Sequence, residues 1–328
     1  MKTFTVTNAK TVAEAQAALA KGSAAPLSGG TDLLSTLKSM CSPTGYDTLV
    51  NLKTIPDMAY IKEEGNMLKI GALTKLSTIA KDATVQSKYT ALAEAAGVVG
   101  TPELRNMGTI AGNICQQIRC WYFRADDNLF PCFRKNPSGI CFALAGDNRY
   151  HSIFGNVNSC FGVSPSDTAP VLAAFGASIV TNKKTWAVKD FFTVNGEKQT
   201  ALAADEIVTE IQIPTPAAGT KSAYRKYAIR KAFDFPIVGA AAVVTSSGGT
   251  VSSASIALGA VHNTPRLTTA GDSLKGKAID DASAEAAGAA AVSGASAIPF
   301  TPNTVNTGNK YIIQLAKVMA KRAVLACK

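Results

Sequence analysis

The sequence predicts an α+β chain of two domains, on three observations. Its 328 residues, 47% of them apolar, can bury more than one core. Strand-like and helix-like stretches follow one another with no repeat at a fixed period. The segment "TPAAGT" at 215–220 clusters Pro, Gly and Thr as a linker does. Residues 1–217 and 221–328 are the expected domains.

From the start, Phe4 and Val6 alternate with Thr3, Thr5 and Thr7, which reads as a first strand. No apolar signal core of 7–15 residues is present there, so the chain is expected in the cytoplasm. "TVAEAQAALA" is helical, and in "APLSGGTDLLSTLKSM" a loop with two glycines feeds a helix whose apolar face carries Leu33, Leu37 and Met40, with Leu34 alongside. "TLVNLKTI" suggests a strand, "YIKEEGNMLKIGAL" a hairpin, "LSTIAKD" a short helix, and "YTALAEAAGVVG" a helix that runs into a loop. "TPELRNMGTIAGNI" follows as a second glycine loop.

Residues 115–160 then change composition, with five of the seven cysteines, several aromatics and few aliphatic repeats. They read as an insertion held by something other than a core. "SPSDTAPVLAAFGASIV" returns to helix then strand, and on the residues alone Asp167 reads as a helix cap. "TWAVKDFF" and "EIVTEIQIP" close the first domain. The second has strands at "AYRKYAIR", "PIVGAAAVVT" and "VSSASIALGAV", the Ala-rich "DASAEAAGAAAVSG", and a terminal helix burying Ile312, Leu315 and Met319, with Lys317, Lys321 and Arg322 as a solvated face.

Several function classes are disfavoured. The net charge of +10 is spread along the chain with no dense basic run or RNA-binding aromatic signature, which argues against nucleic acid. It suits an anionic cofactor, an acidic subunit or an acidic redox partner. Apolar runs such as "PIVGAAAVV" fall short of the roughly 20 residues of a membrane span. The two histidines, His151 and His262, sit in no nucleophile motif, which argues against a hydrolase. An odd number of cysteines in a reducing compartment disfavours structural disulfides.

Glycines where a strand turns into a helix let backbone N–H groups approach a phosphate. "SGGTDLL" has that form, with Ser28 and Thr31 as hydroxyl donors, and Thr109 to Asn113 repeats the chemistry. Neither is a GxGxxG or a GxxxxGK[ST] motif, so nicotinamide or ATP sites of those types are not indicated. Two purely structural turns remain an alternative.

Cys120, Cys132, Cys141 and Cys160 are separated by 11, 8 and 18 residues, without the CxxC pairs of common zinc or ferredoxin sites. On spacing, zinc, an iron–sulfur cluster and unliganded buried thiols all stay open.

The motifs "SGGTDLL", "LRNMGTIAGNI", "SPSDTAP" and "EIVTEIQIP", in this order and spacing, resemble the FAD-binding subunit of the xanthine dehydrogenase family of molybdenum hydroxylases, essentially end to end. The resemblance implies a two-lobed FAD-binding domain of the vanillyl-alcohol-oxidase (PCMH) type, then a small α+β domain of the CO-dehydrogenase flavoprotein type. It implies that Pro26, Leu27, Ser28, Gly29, Gly30, Thr31, Asp32, Leu33 and Leu34 wrap the FAD pyrophosphate from one side. Thr109, Ile110, Ala111, Gly112 and Asn113 would close the other, with Gln116 just beyond. Asp167 would bond hydroxyls of the flavin's sugar-alcohol chain, Lys226 would approach the flavin, and Ile207 and Val208 would be its apolar neighbours. Ala111 stands where family members often have a glycine.

One branch of the family, including 4-hydroxybenzoyl-CoA reductase and a bacterial aldehyde oxidoreductase, carries a [4Fe–4S] cluster in an insertion here, and "RCWYF", "PC", "SGIC" and "NSC" are similar to its signature. That implies Cys120, Cys132, Cys141 and Cys160 as ligands, with Cys115, Cys41 and Cys327 as ordinary thiols. The implied function is an electron-transfer flavoprotein subunit. Its expected partners are a molybdenum–pterin large subunit, a small subunit with two [2Fe–2S] clusters, and an external carrier such as ferredoxin. The competing expectation is a stand-alone FAD-dependent oxidoreductase with a zinc-stapled loop, for which no catalytic base is identified.

Overall fold

Thr5–Asn8 and Ala24–Leu27 both pair in parallel with Thr48–Asn51, which lies between them. Parallel neighbours need a crossover. The helix Val12–Ala20 supplies one, started by Thr11, whose Oγ1 accepts the Glu14 N–H. The computed structural model describes residues 1–43, 45–298 and 308–328.

A second sheet has five strands with antiparallel neighbours, in the order Ile61–Glu64, Met67–Gly71, Val208–Pro214, Ser178–Thr181, Thr185–Ala187. The expected strand "EIVTEIQIP" lies at its centre, with Val208, Ile211 and Ile213 buried.

A third sheet is an antiparallel meander of Thr220–Tyr227, Val238–Ser247, Thr250–Gly259 and Arg266–Thr268. Its strand Val238–Ser247 explains the longest apolar run in the chain. Ala241 joins the core shared with the first two sheets, while Ala240, Ala242 and Val244 point the other way into a second core. A strand buried on both faces needs no polar alternation. The second core is closed by the helices Asp281–Ala291 and Tyr311–Leu325, which meet closely at Gly288, where a Cβ would stand 2.5 Å from the Lys317 carbonyl oxygen. Lys317 and Lys321, expected as a solvated face, reach across to Glu285 and Asp281 at 2.6 and 2.9 Å. Among the described residues, no helix is long and apolar enough to cross a membrane.

One segment differs from expectation in an informative way. The second glycine loop is largely helical, as Pro102–Met107 and then Ile110–Cys115. Thr101 and Thr109 each accept an N–H three residues on, and Pro102 takes the first helical position, where a missing N–H costs nothing. Residues 116–164, by contrast, hold only two short 3₁₀ turns and isolated bridges such as Arg119 to Val163. Their apolar contacts form a small separate cluster of Ile118, Phe123, Cys132, Cys160 and Val194.

Candidate functional site

A cavity of about 1020 Å³ lies where both glycine segments, the hairpin Phe192–Asn195 with Lys198–Thr200, and residues 230–235 converge. That volume suits a dinucleotide-sized ligand.

The two glycine segments touch each other. A Cβ on Gly29 would run into the Met107 carbonyl oxygen and stand 2.9 Å from the Gly108 Cα, so this glycine permits backbone to press on backbone. Ser28 Oγ lies 3.1 Å from Thr109 Oγ1, and a Cβ on Gly112 would be 3.0 Å from both oxygens. Gly30 adopts φ 73°, the left-handed conformation that turns the strand into the next helix.

The carboxylate of Asp32, in the first loop, is engaged by two residues of the cysteine segment. It accepts the Gln117 N–H at 2.8 Å and Arg124 Nη1 at 2.7 Å. Arg124 also donates to the Ile118 and Gln117 carbonyls, both at 2.7 Å. One guanidinium thus ties the first loop to the start of the cysteine segment.

Asp167 is freed from capping by its neighbour. Ser166 Oγ accepts the Ala169 N–H at 3.0 Å and donates to Asn113 Oδ1 at 2.6 Å, whereas Asp167 makes no capping bond. The Asp167 carboxylate accepts instead from the Tyr224 hydroxyl at 2.6 Å and Lys226 Nζ at 3.0 Å. Tyr224 and Lys226, two apart on one strand, face the same side of their sheet. Gly239 on the adjoining strand leaves room for the Tyr224 hydroxyl, which a Cβ there would strike.

This ion pair is buried, with 3% and 7% of the Asp167 and Lys226 side chains exposed. Burial raises the Asp167 pKa, Lys226 and Tyr224 only partly offset it, and burial likewise drives the Tyr224 hydroxyl well above its ordinary value. A carboxyl whose folded pKa is raised contributes stability fully below its unfolded pKa of about 3.9, and loses it as pH rises through the folded value. Asp167→Asn is therefore expected to flatten the decline of stability above about pH 4, read as denaturation midpoints across pH 4 to 8. An unchanged slope would remove Asp167 as its source.

All seven cysteines are free. Cys120, Cys132, Cys141 and Cys160, drawn from four separate points of the segment, line a second, small cavity of about 20 Å³. Burial pushes the Cys120 thiol up to about 12 and also raises that of Cys141. His151 Nε2 lies 3.3 Å from Cys120 Sγ, and burial lowers its pKa to about 4, so the ring is neutral at pH 7. The Gly162 N–H points at Cys160 Sγ from 3.4 Å, and Arg134 Nη1 lies 3.6 Å from the same sulfur. Among the described residues, no group of three or more His, Cys, Asp or Glu side chains is arranged to hold a metal ion. Phe123 lines both cavities.

Residues 2–216 match the model of the FAD binding domain in molybdopterin dehydrogenase, and residues 222–327 that of the CO dehydrogenase flavoprotein C-terminal domain. The chain belongs to the FAD-binding medium subunits of the molybdenum hydroxylase family. It is 31% identical to the aldehyde oxidoreductase FAD-binding subunit of Escherichia coli over 83% of this chain and 86% of that one. It is also 31% identical to the carbon monoxide dehydrogenase medium chain of Afipia carboxidovorans, over 97% and 94%. Among solved structures, carbon monoxide dehydrogenase from Hydrogenophaga pseudoflava matches with a TM-score of 0.75 and 29% identity, covering 99% of this chain and 97% of that one.

Within this flavin subunit, Pro26, Ser28, Gly29, Gly30, Thr31, Asp32, Leu33, Thr109, Gly112, Asn113, Gln116 and Asp167 line the larger cavity. Leu27, Leu34, Ile110 and Ala111 do not. Ile207 and Val208, expected beside the flavin, belong to the main core, and the preceding Glu206 reaches the cavity in their place. Lys226, expected to approach the flavin, also stands outside the lining, its amine committed to Asp167 and the Val98 carbonyl. The cause is the same in each case: burial rewards the apolar pair for core packing and the ammonium for pairing with a carboxylate.

Sequence reading missed Arg124, the hairpin, and the loop bearing Arg230, Phe233, Asp234 and Phe235. In that loop Arg230 pairs with Asp234 at 2.6 Å and stacks on Phe233, which is 54% exposed at the cavity mouth. "FDF" beside a basic strand is the only local sign of it.

Proposed function

We propose that this flavin subunit, divided into domains at 1–217 and 221–328, transfers electrons within a molybdenum hydroxylase-type complex. It would work between the [2Fe–2S] clusters of a small subunit and an external acceptor or donor. A molybdenum–pterin large subunit would carry the substrate chemistry. The observation that carries the reading is two adjoining cavities with Phe123 in both walls, one bounded by the paired glycine segments and Asp167, the other by four cysteines.

In the first, Ser28, Gly29, Gly30, Thr31, Thr109 and Gly112 would hold the FAD pyrophosphate through hydroxyls and backbone N–H groups. Asp167 would accept from a hydroxyl of the flavin's side chain, oriented by Tyr224 and Lys226. In the second, Cys120, Cys132, Cys141 and Cys160 would hold a [4Fe–4S] cluster, an all-thiolate donor set of the kind such clusters use. When bound, FAD exchanges one or two electrons and the cluster one. The chain's own part would be to hold both close together and to keep water from them, a task that the buried Phe123 and Ile118 suit.

A zinc ion in the cysteine cavity is a second reading, favoured by His151 beside Cys120, since zinc accepts mixed N and S donors. Metal analysis of the purified complex separates them: four irons per chain supports the cluster, and zinc in their place sinks it. Cys132→Ser is expected to abolish flavin reduction by ferredoxin while sparing reduction by the substrate of the complex, followed as flavin bleaching in a stopped-flow instrument. Unchanged transfer from ferredoxin would remove the cluster as an electron port.

A further inference from the structure

Arg134 is 4% exposed, yet no carboxylate pairs with it among the described residues. Its guanidinium donates to Gln199 Oε1 at 3.0 Å and to the Glu197 and Lys198 carbonyls at 2.9 and 2.8 Å, all neutral acceptors. Among the described residues its Nε finds no acceptor. Phe123 presents its ring 5.5 Å from the guanidinium carbon.

A guanidinium cannot shed its proton in a protein, so burial leaves a full positive charge to be compensated. An uncompensated buried charge is costly. The remaining contact is Cys160 Sγ, 3.6 Å from Nη1, which also receives the Gly162 N–H. Neutral thiols provide no counter-charge, whereas metal-bound cysteines are thiolates.

We infer that Arg134 is the built-in counter-charge of the cysteine centre, placed against Cys160 to stabilise its negative charge and to set the reduction potential of the cluster held there. This rests on the iron–sulfur reading above. Charge and hydrogen bonds at the sulfurs are what a protein uses to tune such a cluster. A cation beside one sulfur favours the reduced, more negative form and raises the potential. The four cysteines are not equivalent: Cys160 faces a fixed cation, and Cys120 faces the His151 ring. The hairpin residues that hold the guanidinium, Glu197, Lys198 and Gln199, also line the flavin cavity, so Arg134 is a positioning residue between the two centres.

The test is an anaerobic redox titration of the whole complex, followed by the electron paramagnetic resonance of the reduced cluster, with iron counted per chain. Arg134→Gln is expected to lower the cluster's midpoint potential, and Arg134→Lys, which keeps the charge, to recover part of the shift. Asn158→Gly is the control: it removes the Asn158 Nδ2 bond to the Val194 carbonyl, loosening the same hairpin, and leaves the guanidinium untouched. Glycine keeps its backbone at φ 48°. Asn158→Gly should leave the potential unchanged. Loss of iron in Arg134→Gln with retention in Arg134→Lys would equally support the counter-charge. An unchanged potential in Arg134→Gln, the same shift in Asn158→Gly, or iron lost in both arginine variants and in Asn158→Gly would reduce Arg134 to a scaffold residue and overturn the inference. A wild-type complex without iron would instead remove the cluster reading on which it rests.

Discussion

Gly29→Ala is expected to weaken FAD retention by about 30-fold or more. The added methyl meets the Met107 carbonyl oxygen and the Gly108 Cα, which belong to backbone and cannot rotate aside. Relieving such overpacking costs about 2 kcal/mol, and 1.4 kcal/mol is a factor of about ten in affinity. The cost is taken where the two glycine segments meet, so it should fall on a ligand held between them more than on the core. Gly30→Ala is the comparison. Its nearest neighbours are the flexible Leu34 and Leu27 side chains at 3.1 and 3.2 Å, and the penalty is the left-handed backbone, about 1–2 kcal/mol. Flavin-to-protein absorbance after gel filtration, and FAD titration of the stripped chain, give the ranking. Full FAD retention by Gly29→Ala would show that the contact between the segments does not matter for binding.

Lys226→Met should cost about 3–5 kcal/mol of stability at pH 8, because it strands the buried Asp167 carboxylate. The loss should shrink towards pH 5. Burial already raises the Asp167 pKa and losing Lys226 raises it further, so at lower pH the carboxyl takes a proton and no bare charge remains. The double variant with Asp167→Asn should recover most of the loss, as expected for residues in direct contact. Denaturant midpoints at the two pH values decide it. A Lys226→Met chain as stable as the wild type at pH 8 would mean that the pair is open to water and of little consequence.

The two glycine segments were legible because their chemistry is local. "SGGT" and "MGTIAG" carry glycines and threonines whose roles are set by neighbours within a few residues, such as the Thr109 hydroxyl accepting the Gly112 N–H. Even the error over the second loop was local, since Thr101, Pro102 and Thr109 are helix-start residues that were read as loop. On the residues alone capping is the simpler reading of Asp167, and only the fold shows Ser166 taking the cap.

Arg124, Tyr224 and Arg134 were not legible, for one physical reason. Their partners lie far along the chain: Asp32 is 92 residues from Arg124, Asp167 is 57 from Tyr224, and Gln199 is 65 from Arg134. No helical or strand period links residues so far apart.

By itself, then, the sequence determined the local elements, the two glycine segments and the set of cysteines. Local rules for turns, caps and apolar periodicity are enough for these. Tertiary structure alone decided that Gly29 serves contact between segments, that Lys226 is held by Asp167, and that a buried arginine stands against Cys160. Those outcomes follow from burial, which forces each polar group to find a partner wherever the packing has brought one.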